Sequence, residues 1–151
     1  MNKALTAIIL PAVMILMSHL AASRTDSPAL NAELIEAVQT GDKARVQRLL
    51  QEGASVEERD SEGFTALFWA TSPDITQLLL DKGANIEAKD NYGYTALFRA
   101  AQYGWTDVVK LLLDSGANSA AKDKNGKTAA DLATSMGHPD VVKLLRERSS
   151  K

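Results

Sequence analysis

The feature that most constrains the fold is that the chain repeats itself. Asp60-Ser-Glu-Gly63-Phe-Thr65-Ala-Leu67-Phe68 returns as Asp90-Asn-Tyr-Gly93-Tyr-Thr95-Ala-Leu97-Phe98, and again, altered, as Asp123-Lys-Asn-Gly126-Lys-Thr128-Ala-Ala130-Asp131. A second phrase keeps step with it: Leu49-Leu50 before Gly53-Ala54, Leu78-Leu79-Leu80 before Gly83-Ala84, Leu111-Leu112-Leu113 before Gly116-Ala117, and finally Leu144-Leu145. Gly93 and Gly126 stand 33 residues apart, but Gly63 and Gly93 only 30, so one unit is three residues short. Periods of this size are the signature of a solenoid, in which each unit is too small to bury its own apolar face and must stack on its neighbours.

Each phrase has a local meaning. Asp-x-x-Gly-x-Thr predicts a tight turn, with Gly at a positive φ and the Asp and Thr side chains bonding nearby amides. Thr is then expected to cap a first helix, whose apolar stripe begins Ala-Leu-Phe. Gly104 and Gly137, each 11 residues beyond a turn glycine, break the chain before a second helix such as Val108-Val109-x-Leu111-Leu112. Every unit therefore reads as turn, helix, turn, helix.

This pattern resembles the ankyrin repeat, with its period of 33 and Thr-Pro-Leu-His-x-Ala phrase. The resemblance implies an all-α solenoid with short β-turn fingers, in four units at about 30–59, 60–89, 90–122 and 123–148, and a tail at 149–151. The family's Pro is replaced by Ala66, Ala96 and Ala129, and its His by Phe68, Phe98 and Asp131. Losing that His removes the hydrogen bonds it makes between units in the family, and Phe is expected to contribute by packing instead.

The N-terminal segment is of another composition. Lys3, the apolar run from Ala4 to Met17 and the small residues Ala21-Ala22-Ser23 read as a signal peptide over 1–23, cleaved after Ser23 or Ala22, with a polar linker at 24–29. The alternative is a retained membrane anchor, since Ala4 to Ser23 approaches the ~20 residues that span a bilayer. Pro11 inside the run and His19 near its end argue against it. Cleavage implies a periplasmic or secreted protein of no membrane association. Absence of Cys suits an oxidising compartment and excludes thiolate chemistry and Cys-ligated metals.

Little looks catalytic. His138, in Gly137-His138-Pro139-Asp140, reads as a turn before a helix with Pro at its first position; an acid/base pair with Asp140 is the sharper alternative, but no Ser lies in a nucleophile elbow. Glu57, Glu58, Asp60 and Glu62 lack the spacing of a calcium loop, and no Gly-rich phosphate loop occurs. The expectation is a non-enzyme without cofactor or metal.

Binding is better supported. All 8 aromatic residues (3 Phe, 2 Trp, 3 Tyr) fall between Phe64 and Trp105. The ankyrin resemblance implies that a partner protein is gripped by the loop tips and inner helix surface of units two and three. Carried over by position, that implicates Arg59, Glu62, Phe64, Trp69, Lys89, Asn91, Tyr92, Tyr94, Arg99, Gln102 and Tyr103. Phe64, Tyr92 and Tyr94 flank turn glycines and are expected at exposed tips, while Phe68 and Phe98 are expected in the core. The three-residue deletion, between Ala70 and Leu78, is expected to leave a notch beside Trp69 and Tyr103. Charge is uneven: from Arg24 to Asp90 there are 7 basic and 13 acidic residues, and from Asn91 to Lys151 there are 9 basic and 6 acidic. That polarity suits orientation of a partner, whereas the small basic patch does not suit nucleic acid. A monomer is expected, with an accessory or inhibitory role.

Overall fold

The computed structural model describes residues 27–149. Among these, seven α-helices and one 3-10 turn follow in order: α1 (Pro28–Thr40), α2 (Lys43–Gln51), the 3-10 turn (Ala66–Trp69), α3 (Pro73–Asp81), α4 (Ala96–Tyr103), α5 (Thr106–Asp114), α6 (Ala129–Met136) and α7 (Pro139–Ser149). The first elements of the units, α1, the 3-10 turn, α4 and α6, pack side by side in one row. The second elements, α2, α3, α5 and α7, form a parallel row behind them. Between the rows runs one continuous apolar core from Leu34, Val38 and Val46 through Ile75, Leu79, Leu97 and Phe98 to Val109, Leu112 and Leu145. This is the stacked, all-α arrangement that the repeat demands. The first helix begins at Pro28, inside the segment read from sequence as linker, because Pro sits at its first position where a missing N–H costs nothing.

The fingers are built as expected. In each, one carboxylate oxygen of the Asp accepts two amides: Asp60 Oδ1 from Glu62 and Phe64 (2.9 and 2.9 Å), Asp90 Oδ1 from Tyr92 and Tyr94 (2.8 and 2.8 Å), Asp123 Oδ1 from Asn125 and Lys127 (2.8 and 2.8 Å). The fingers then touch through their glycines. A Cβ at Gly63 would come within 2.8 Å of Asn91 Oδ1, and one at Gly93 within 3.1 Å of the Lys124 amide nitrogen. That closeness lets the Lys124 amide donate to the Tyr92 carbonyl at 3.3 Å.

The threonine caps are realised only once. Thr128 accepts from the Asp131 amide while Asp131 takes the Thr128 amide, a reciprocal capping box; Thr65 and Thr95 occupy the same position without a side-chain cap bond. The difference lies three residues on, where Asp131 can answer the cap but Phe68 and Phe98 cannot.

Neighbouring units are joined by side-chain hydrogen bonds from other positions. Glu57 Oε1 accepts the Asn85 amide at 2.7 Å, and Glu87 Oε1 accepts the Asn118 amide at 2.8 Å, so each glutamate ties its unit to the next. Within unit one, Asn31 Oδ1 accepts the Ser55 amide at 2.8 Å. On the finger side Arg59 Nη1 donates to the Lys89 carbonyl (2.6 Å), and Lys89 Nζ to the Lys122 carbonyl (3.3 Å), both exposed. Behind, Lys43 pairs with Asp74 at 3.0 Å and Arg148 with Asp114, joining α2 to α3 and α5 to α7.

Candidate partner-binding face

The shortened second unit decides the shape of this face. Without the glycine that ends α4 at Gly104, the segment after Trp69 has only Ala70-Thr71 before Ser72, which caps α3 by accepting from Ile75 N at 3.4 Å. A full helix does not fit, and a 3-10 turn of 4 residues replaces it. The notch expected beside Trp69 and Tyr103 is not empty, however. Arg99, from α4 of the next unit, fills it: its guanidinium carbon lies 4.0 Å from the Trp69 ring centroid and 5.0 Å from that of Tyr103. The ring centroids of Phe68 and Phe64 lie at 5.3 and 5.8 Å. Open space created by the deletion is displaced to a groove of about 350 Å³ between Pro73 and the Gly104–Val108 segment.

The aromatic residues divide differently from the sequence expectation. Phe64 is not an exposed tip but is 6% exposed, stacked on Phe68 at 4.4 Å and edge-on to Trp69 at 5.3 Å. The Asp60 carboxylate is responsible: by taking the Glu62 and Phe64 amides together it curls the finger, so that the residue after Gly63 turns back over its own helix. Tyr94, half-buried, repeats this geometry on Phe98 with ring centroids at 5.4 Å. Trp69 is half-buried, and its indole N–H donates to Asp60 Oδ2 at 3.3 Å. Only Tyr92 and Tyr103 are large and open, at 61% and 50% exposure. Tyr103 is held flat by Trp105, ring to ring at 5.2 Å.

The polar members of the set are mostly placed by backbone bonds. Arg59 caps both the Gly63 carbonyl (2.8 Å) and that of Lys89. Glu62 and Asn91 are exposed, with the Asn91 side chain lying against Gly63. The carbonyl of the half-buried Gln102 faces His138 Nε2 at 3.0 Å. Arg59, Lys89 and Asn91 therefore line the finger edge. Trp69, Arg99 and Tyr103 form a separate cluster over the 3-10 turn and α4. Sequence reasoning placed His138 in a turn but gave it no partner; its role in joining units three and four was missed, and the only available signal was its position one residue past Gly137.

Among the described residues no group of three or more His, Asp or Glu side chains could hold a metal ion, and no helix is long and apolar enough to cross a membrane. One carboxyl among the described residues is clearly perturbed: bonds from the Thr128 amide and hydroxyl hold Asp131 below its ordinary pKa against desolvation, with Lys127 and Arg146 adding smaller lowering effects. These are the features of a repeat scaffold presenting finger tips and a first-helix surface. The chain matches the model of ankyrin repeats (3 copies) over residues 10–90 and 71–151. It belongs to the ankyrin-repeat family, whose members are typically non-enzymatic protein–protein interaction modules. No curated protein matches the chain.

Proposed function

We propose that the chain binds a partner protein through the finger edge and the Trp69–Arg99–Tyr103 cluster of units two and three, without catalysing a reaction. The observation that carries this is the pair of exposed tyrosines, Tyr92 and Tyr103, on a surface where the other aromatic rings are buried or half-buried. Tyr, Trp and Arg are the residue types that dominate interface hot spots, and rigid rings bind at little entropic cost. Residues 1–23 direct export, so the partner is met in the periplasm or outside the cell, and the chain serves there as an accessory or inhibitory subunit. Those residues lie outside the described structure, and the support for export is the pattern of Lys3, the apolar run and the small residues before Arg24.

The length of the apolar stretch from Ala4 to Ser23 supports a second reading, a membrane-tethered scaffold presenting the same face. N-terminal sequencing of the protein recovered from cells separates the two: a start near Arg24 means cleavage. For the binding reading, the test is affinity capture from the cell envelope with the wild-type protein and a Tyr92→Ala/Tyr103→Ala variant. A partner retained equally by a folded double variant would show that this face is not the one used.

A further inference from the structure

In the repeat register Arg99 stands where the preceding unit has Trp69, each nine residues after its turn aspartate. The two side chains behave differently. Trp69 Nε1 reaches back to Asp60 Oδ2 at 3.3 Å, whereas Arg99 leaves Asp90: Asp90 Oδ2 and Arg99 Nε are both buried without a hydrogen-bond partner. The guanidinium instead lies against the rings of Trp69 and Tyr103, at 4.0 and 5.0 Å. Its two terminal nitrogens make no hydrogen bond or ion pair and are not among the buried atoms.

This is an unusual state for an arginine. Ring faces attract the cation electrostatically but take none of the in-plane hydrogen bonds that its five N–H groups can make. Contact with the rings holds the guanidinium in place and leaves its terminal N–H groups unbonded, so part of the entropy of ordering a long side chain is already lost before any ligand arrives. A guanidinium fork of this kind receives a carboxylate or a phosphate by two parallel N–H···O bonds, and of the two only the carboxylate is present on every unmodified protein. Asp90 holds the corresponding position in its own unit but is anchored through Oδ1 to two finger amides, and Asp60 Oδ2 is engaged by Trp69.

We propose that Arg99, bracketed by Trp69 and Tyr103, is the receptor for a carboxylate of the partner protein, supplied by an Asp or Glu side chain or by a free C-terminus. The proposal rests on the protein-binding reading above and specifies the chemistry of the partner at this point.

The test uses an array of random-sequence decapeptides probed with the purified protein. Each retained peptide is remade with Asp and Glu changed to Asn and Gln, and with its C-terminus amidated. The expected result is that retained peptides are acidic or free at the C-terminus and lose about tenfold or more in affinity as amides. Which replacement abolishes binding tells side chain from terminus. Because these isosteres are compared on the wild-type protein, the outcome does not depend on a variant folding. As a second arm, Arg99→Gln should abolish the difference between acid and amide, and Arg99→Lys should restore it only in part, since an ammonium is not a fork; melting curves confirm that both are folded. Peptides that bind equally as amides, or that survive Arg99→Gln unchanged, would overturn the carboxylate receptor while leaving the protein-binding reading intact. Retention of no peptide at all would overturn it as well, and capture from the cell envelope then judges the binding reading separately.

Discussion

The imidazole of His138 lies over Gly104, so close that a methyl group on that glycine would come within 2.6 Å of Nδ1 and 3.0 Å of Cγ. The contact joins the end of α4 to the turn before α7, and Nε2 completes it against the Gln102 carbonyl at 3.0 Å. Gly104 is also at φ 70°, where a side chain costs about 1–2 kcal/mol. Gly104→Ala should therefore introduce that strain and lose the histidine contact, a cost of roughly 2–3 kcal/mol in all. Gly137 supplies the control: its φ is 78° but nothing lies within 4 Å, so Gly137→Ala should show the strain alone. Urea denaturation of both variants decides it, and equal losses would mean that the ring does not pin the two units.

Phe64 makes a second case in which position in the fold outweighs position in the sequence. Next to a turn glycine it reads as a loop tip, yet it stacks on Phe68 and closes one side of the Arg99 site. Phe64→Ala should therefore cost about 3–5 kcal/mol, as a core truncation does, and not the few tenths expected at an exposed tip. Tyr92→Ala, at a neighbouring tip position with 61% exposure, should leave the melting temperature nearly unchanged. Thermal unfolding of the pair distinguishes the two roles.

These examples show what was readable from the residues. The Asp-x-x-Gly turns and the glycine ends of α1, α4 and α6 follow from short-range rules. What depends on the neighbouring unit was not readable. Phe64, next to a turn glycine, is covered by Arg99 of the following unit, whose guanidinium carbon lies 5.8 Å from its ring centroid. Whether the deletion opens a notch is decided by Arg99, 30 residues away from the turn it covers. No local pattern in Leu-Phe-Arg-Ala-Ala says that its arginine will cross to the unit before. From the sequence the candidate residues read as one face; their division into a finger edge and an arginine–aromatic cluster required the stack.

The capping box of unit four links structure to pH. Asp131 accepts from the Thr128 amide and hydroxyl at 2.9 and 2.8 Å, and those bonds hold its carboxyl below the ordinary Asp value. A depressed carboxyl pKa stabilises the fold above the unfolded pKa, and the contribution fades as pH falls through the folded one. Acidification below about pH 4 should accordingly loosen α6. Asp131→Asn should flatten that part of the stability profile. Thr128→Ala, which removes the other half of the box, should cost about 1 kcal/mol at neutral pH. Stability measured by denaturant titration between acid and neutral pH tests both, and an unchanged acid limb in Asp131→Asn would place the sensitivity in another carboxyl.

The glutamate ties between units test whether the stack behaves as a chain of nearest-neighbour interfaces. Glu57 serves the junction of units one and two with the Asn85 amide beyond it, and Glu87 serves the next junction through Asn118; the two share no partner. Both amides are on exposed residues, where water can replace the lost acceptor, so Glu57→Ala and Glu87→Ala should each cost no more than about 1 kcal/mol. Glu→Gln at either position keeps an oxygen acceptor and should cost less than Ala. In a solenoid whose stability is a sum over units and neighbouring interfaces, the double Ala variant should lose the sum of the two within about 0.5 kcal/mol. A markedly larger loss would mean that the first three units fold as one cooperative block rather than as separable interfaces, and hydrogen exchange at the Asn85 and Asn118 amides would then report the same opening energy for both.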